Sequence, residues 1–131
     1  MALDPTLKDL AGADNFAAFT TLMADGQPQT QVMWVGADDD HVLINTEPQR
    51  QKFLNVERDP RVTVTVWNKA NPYQYVEVRG RVVETVGGEE ALAHIDELSQ
   101  KYTQGPYSNP IGPNGRVILK IAAEKLHRNG V

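Results

Sequence analysis

Thr46, Arg50 and Lys52 follow one another at spacings of four and two residues, and together they supply the donor types that capture a phosphate. They belong to the stretch from Asn45 to Arg61, NTEPQRQKFLNVERDPR, which lies between two β-like runs. Pro48 suits the first position of a helix, where a missing N–H costs nothing, and Asp59-Pro60 stops that helix. Within it Phe53 and Val56 are three apart and can face a core, while Arg50, Lys52 and Asn55 fall toward the other side. The free N–H groups of the first turn, the positive end of the helix dipole, the Thr46 hydroxyl and two cations then converge on one place, which suits an anion. The competing reading is a short surface helix whose basic residues are merely solvated.

Charge distribution favours the first reading. Residues 50–81 carry seven Lys/Arg against three acids, a local +4 in a chain whose total is −4, so the remainder carries −8. A basic island in an acidic chain points to a small anionic ligand, whereas a nucleic acid would favour a domain that is basic overall.

Other chemistries find little support. With no cysteine, disulfides, thiolate catalysis and thiolate metal sites are excluded. His41, His94 and His127 are far apart and have no partner at ligand spacing, which gives each a surface or structural role. Asp38–Asp40 reads as a solvated turn. No phosphate-loop, dinucleotide, zinc-protease or nucleophile-elbow motif is present, and an enzyme of this kind must borrow its chemistry from a cofactor.

At 131 residues the chain is expected to be one domain, residues 1–131, small for an enzyme with a private cleft. A second copy could supply a missing wall. MALDPTLKDLAGADNF is too polar for a signal peptide, and no apolar run approaches the ~18 residues of a membrane span, so a cytoplasmic protein with no membrane partner is expected.

The elements that must position the basic stretch follow from patterning. Asp4-Pro5 predicts a helix at about 4–11. Two extended runs at about 16–23 and 27–36 flank Asp25-Gly26, a hairpin signal, with Pro28 forcing the second run to begin on an edge or at a bulge. Residues 41–46 form a third strand. Residues 61–67 alternate Val62, Val64, Val66 with Thr63, Thr65, Trp67 and form a fourth. A fifth spans 73–86, where Gly80 marks a bulge or the close approach of another backbone. Leu92, Ile95, Leu98 and Tyr102 then recur at helical spacing over 89–102. A Pro/Gly loop over 103–115, a sixth strand over 116–121 and a polar tail over 124–131 complete the chain. Six strands, mostly antiparallel, with two or three short helices give a mainly β (α+β) chain built on a barrel, whose connections are too short for successive βαβ crossovers. Such a barrel fills its own interior, so ligands bind outside it or between subunits.

From Phe16 to about Ile121 this order of features resembles the pyridoxamine 5′-phosphate oxidase-like, FMN-binding-like split β-barrels. The stretches that carry the resemblance are FAAFTTLMADGQPQTQVMW, VLINTEPQRQKFLNVERDPRVTVTVW, YVEVRGRVVET, an acidic helix ending KY, and RVILKI. The combination of Thr46, Arg50, Lys52, Asn55, Asp59, Pro60 and Arg61 is fairly specific in that setting, and its R-x-K-x-x-N form is similar to the branch that uses the deazaflavin coenzyme F420. The oxidases instead show a Ser-Arg-Lys run. Here Arg50-Gln51-Lys52 stands in that place, and Thr30 stands where the oxidases open their flavin-binding strand with arginine, which speaks against pyridoxamine oxidation.

The resemblance implies a homodimer with a cofactor in each of two grooves between subunits. It implies that Gln31, Val32, Met33 and Trp34 lie along the flavin-like ring, mainly through backbone, and that Thr46, Arg50 and Lys52, with Asn45, Gln51 and Asn55 beside them, hold the phosphate end. Trp67 and Tyr75 would add ring contacts. The reaction implied is hydride transfer from reduced F420 to an unsaturated small-molecule substrate such as an enone, quinone or bilin. The alternatives are an FMN-binding oxidoreductase of the same fold, or a non-enzymatic carrier of flavin, deazaflavin or haem-type ligands.

Overall fold

The computed structural model describes residues 2–131. Helix α1 (Pro5–Gly12) is capped by Asp4, whose carboxylate accepts from the Leu7 N–H at 3.1 Å, and it buries Leu7 and Ala11. Strands β1 (Phe16–Leu22) and β2 (Pro28–Trp34) form the predicted hairpin, with Gly26 at φ 89° in its turn. Strands β3 (Gly36–Ala37) and β4 (Val42–Thr46) follow, then helix α2 (Gln51–Arg58), β5 (Arg61–Asn68), β6 (Asn71–Val86), helix α3 (Gly88–Thr103) and β7 (Val117–Asn129). All strand pairs are antiparallel, in the order β2-β1-β5-β6-β7-β4-β3.

That order dictates the curl of the sheet. β2 and β3 lie at opposite edges, yet only Val35 separates Trp34 from Gly36, so the sheet must bend until its edges adjoin. The inner face is continuous across strands: Ala17 faces Val66 and Val66 faces Val76, while Phe19 faces Val64 and Val64 faces Val78. These side chains join Val35, Val42, Ile44, Leu119 and Ile121 in one buried core. Each buried valine, leucine, isoleucine or phenylalanine among them contributes roughly 1.5–3 kcal/mol of transfer free energy. The result is the expected antiparallel split barrel with three helices.

The structure departs from the sequence reading at four points. Seven strands are present among the described residues rather than six, because Val35 divides the run expected at 27–36 and leaves the short β3. The supposed polar tail is the second half of β7, which pairs with β6 as far as Tyr75 opposite Asn129. A strand with one solvated face reads as polar, and here Leu126 alone marks the buried side against Val78. Pro48 does not open α2. It occupies the second position of a turn closed by the Arg50 N–H on the Glu47 carbonyl at 3.1 Å, and the helix starts at Gln51. Finally, α2 buries Lys52 and Asn55 together with Val56, so those two polar residues face inward.

Gly80 behaves as anticipated. A Cβ built there would meet the Ala122 carbonyl oxygen at 2.0 Å, and the β6–β7 register shifts beside it.

Candidate functional site: a groove with an aromatic wall and a cationic end

The sharp corner at Val35 leaves its backbone polar groups without ladder partners, and α3 supplies them. The Tyr102 hydroxyl accepts from the Val35 N–H at 3.1 Å and donates to the Asn15 carbonyl. The Lys101 ammonium donates to the Val35 carbonyl at 2.6 Å and to that of Ala11 at 3.0 Å. Burial pushes the Tyr102 hydroxyl up to about 12 and the Lys101 amine down to about 8. The same clamp lays the Tyr102 ring parallel to that of Trp34, centroids 5.1 Å apart, with Phe16 5.6 Å from Tyr102 on a more tilted plane.

Beside this stack runs a groove of about 530 Å³, inside the roughly 300–1,000 Å³ usual for small-molecule sites. One wall is β2 from Gln31 to Trp34, with Phe16 beside it. Ile95 and Leu98 of α3, Asn45 of β4, and Tyr107 and Asn109 from the loop after α3 also line the groove. Arg50, Lys52 and Arg116 close one end. Val32 is 67% exposed, so the wall of the groove continues onto open surface.

The cationic end is unevenly compensated. Glu47 lies 3.5 Å from the Arg50 guanidinium and 3.8 Å from that of Arg116. Lys52 is 6% exposed and has no hydrogen bond or ion pair among the described residues. Burial, followed by the fields of Arg50 and Arg116, pushes its amine below the ordinary lysine value. A largely buried cation that makes no direct pair, with only the field of Glu47 to offset those of two arginines, is costly and is suited to an anionic ligand that completes it.

Seven of the residues singled out in the sequence therefore line one groove: Gln31, Val32, Met33, Trp34, Asn45, Arg50 and Lys52. Five lie elsewhere. Thr46 is buried within β4, opposite Val117. Asn55 is fully buried and donates to Thr21 Oγ1 at 2.9 Å, while Gln51 donates to Asn55 at 2.8 Å, so both brace α2 against β1. Trp67 and Tyr75 face each other across β5 and β6, and Tyr75 lies 6.3 Å from the His127 ring. Arg116, Tyr107, Asn109, Ile95, Leu98 and Phe16 were missed. Arg116 carried a faint signal, since it precedes a strand whose partner β4 ends at Thr46, but only the β4–β7 register places it beside Glu47.

The histidines remain apart. His94 is buried on α3, with Nδ1 3.0 Å from the Asn45 side-chain nitrogen and no partner at Nε2. No group of His, Asp or Glu that could hold a metal ion occurs among the described residues. No helix among them is long and apolar enough to cross a membrane.

A family model described as pyridoxamine 5′-phosphate oxidase matches residues 3–129. Among solved structures, one named F420 Reductase is 28% identical over 95% of this chain and 98% of its own, with a TM-score of 0.80. A conserved hypothetical protein from Mycobacterium tuberculosis is 27% identical over 96% and 83% of the two chains, TM-score 0.74. A putative pyridoxamine 5′-phosphate oxidase from Listeria innocua is 19% identical over 91% and 90%, TM-score 0.67, a likeness of fold alone. No curated protein sequence matches this one.

Proposed function

The chain belongs to the pyridoxamine 5′-phosphate oxidase family, and from that premise we propose that it is an F420-dependent reductase acting on an unsaturated small molecule such as an enone, quinone or bilin. The observation that carries the reading is Lys52, a buried cation with no direct pair among the described residues, lying in the fields of Arg50 and Arg116 and lining the same groove as a stacked tryptophan. A ligand that joins a flat ring to a phosphate satisfies both ends at once. F420 is such a ligand, and its anionic glutamyl tail gives the excess positive charge around residues 50–81 a further partner. When bound, the deazaflavin supplies a hydride.

The protein's own residues bind and orient. Lys52, Arg50 and Arg116 would hold the phosphate, the last two as planar forks. The β2 backbone from Gln31 to Trp34 would lie along the ring, and Ile95 and Leu98, which line the same groove, would help to exclude water from it. The reading requires no proton donor from the protein, because solvent can protonate the product. A homodimer belongs to the same reading: the groove is open beside Val32, and a second copy covering that exposed wall would enclose the reacting ring.

The chain's likeness to a structure named F420 Reductase and its Arg50-x-Lys52 pattern favour the deazaflavin. The family match itself favours the second reading, an FMN-binding oxidoreductase. Parallel titrations of the purified protein with F420 and with FMN, followed by fluorescence, separate them. Micromolar or tighter binding of F420 with weak FMN binding supports the reductase, the reverse order moves the protein to the flavin reading, and binding of neither overturns both.

A further inference from the structure

We propose that His94 is a positioning residue for the cationic end of the groove: it fixes the direction of the Asn45 amide, and that amide holds Arg116 in place. The inference rests on the reading that Arg116 faces a phosphate, but the hydrogen-bond chain itself is independent of any ligand.

An asparagine amide has two ends of nearly equal size, and its neighbours decide which is oxygen. Arg116 Nε can only donate, and it lies 2.8 Å from Asn45 Oδ1. The Ala91 carbonyl can only accept, and it lies 3.0 Å from Asn45 Nδ2. Both ends agree on one orientation, so the second N–H of Nδ2 points at His94 Nδ1, 3.0 Å away. His94 Nδ1 must therefore accept, and the ring is neutral with its hydrogen on Nε2. The chain has a single direction, from Arg116 through Asn45 to His94. Asn45 is 4% exposed and His94 7%, so water does not compete for either.

The arrangement has a chemical purpose. An arginine fixed by a tight carboxylate spends its charge on that partner. Arg116 is fixed at Nε by a neutral amide and on its face by the Tyr107 ring at 5.5 Å, with Glu47 no closer than 3.8 Å. Its charge and outer N–H groups stay available to an anion beside Lys52. Without an acceptor at position 94, one N–H of Asn45 is buried unpaired, and the amide gains by turning its oxygen away from Arg116.

Two variants test this. His94→Leu removes the acceptor, whereas His94→Asn places an oxygen near the position of Nδ1. Nitrogen NMR on the ligand-free protein reads the relay directly. In the parent protein His94 should show the neutral tautomer protonated at Nε2, and Arg116 Nε–H should give a dispersed, slowly exchanging signal. That signal should disappear in His94→Leu and persist in His94→Asn. F420 affinity should fall about tenfold in His94→Leu, as for loss of one hydrogen bond at a charged group, and recover in His94→Asn. A His94 ring protonated at Nδ1, or an Arg116 signal unchanged in a folded His94→Leu, overturns the proposal. If the parent protein binds no F420, the functional reading fails, while the NMR comparison still decides the relay.

Discussion

The rings of Trp34 and Tyr102 lie parallel, 5.1 Å between centroids and 4° between planes, so one tyrosine both closes the barrel corner and backs the groove wall. Its hydroxyl serves the Val35 N–H and the Asn15 carbonyl while its face supports the tryptophan. Tyr102→Phe keeps the face and removes the hydroxyl. With the buried Val35 N–H left unpaired, the unfolding free energy should fall by about 1–3 kcal/mol, read by urea denaturation at unchanged m-value. An unchanged midpoint would show that the corner does not depend on this clamp.

Lys52 makes the opposite prediction for stability. It is a buried cation without a protein partner, so Lys52→Met should leave the ligand-free protein as stable or raise its unfolding free energy by about 1–2 kcal/mol. The same change should weaken binding of a phosphate-bearing ligand by about 1.5–3 kcal/mol, the worth of one charge-assisted contact. Loss of both stability and binding would mean that Lys52 supports the fold instead.

These two residues show how unevenly the molecule was legible in its sequence. Local signals were reliable where one pattern decides the outcome: Asp4-Pro5 began a helix, Asp25-Gly26 made a hairpin, and the Val62–Val66 alternation made a strand. Lys52 was identified as a phosphate ligand candidate but assigned to the solvent side of α2, because periodicity within one helix cannot show that two polar residues face inward. Asn55 faces inward for a reason found far away in sequence, the Thr21 hydroxyl. Arg116 and His94 needed the β4–β7 pairing and the packing of α3 on β4 before either acquired a role. The second half of β7 was hidden for a simpler reason, since its outward residues are those of a tail.

His94 gives the fold a pH dependence of definite sign. Burial, with the Lys101 ammonium as the second cause, holds it neutral down to about 4, against an ordinary value of 6.5. The charged residues around it are Glu97 and Lys101 of α3, with Arg116 beyond Asn45, while β3 and β4 present Gly36 and Leu43. As pH falls from 6.5 toward 4, the unfolded chain takes up a proton that the folded chain refuses, so stability falls across that window. The full effect is on the order of 3 kcal/mol at one pKa unit per 1.36 kcal/mol. Denaturation midpoints at neutral pH and near pH 4.5 should converge in His94→Asn relative to the parent protein. Parallel losses in the two proteins would assign the acid sensitivity to carboxylates.

Gly80 tests the register. A Cβ at this position would stand 2.0 Å from the Ala122 carbonyl oxygen, which is backbone and cannot swing away. Gly80→Ala should destabilise by about 1–3 kcal/mol or more, through separation of β6 from β7. Thermal unfolding reads the effect, and a neutral substitution would mean that the bulge beside Arg79 is placed differently.

In the proposed complex a phosphate sits against Lys52, Arg50 and Arg116 while a deazaflavin ring lies along β2. The most direct measurement is calorimetric titration of the protein with F420 and with the same deazaflavin lacking its phosphate and tail, repeated on Lys52→Met. The complete coenzyme should bind at least tenfold more tightly, and Lys52→Met should remove most of this difference while leaving the truncated ligand's affinity unchanged. Equal affinity for the two ligands, or a difference that survives in Lys52→Met, would contradict this arrangement.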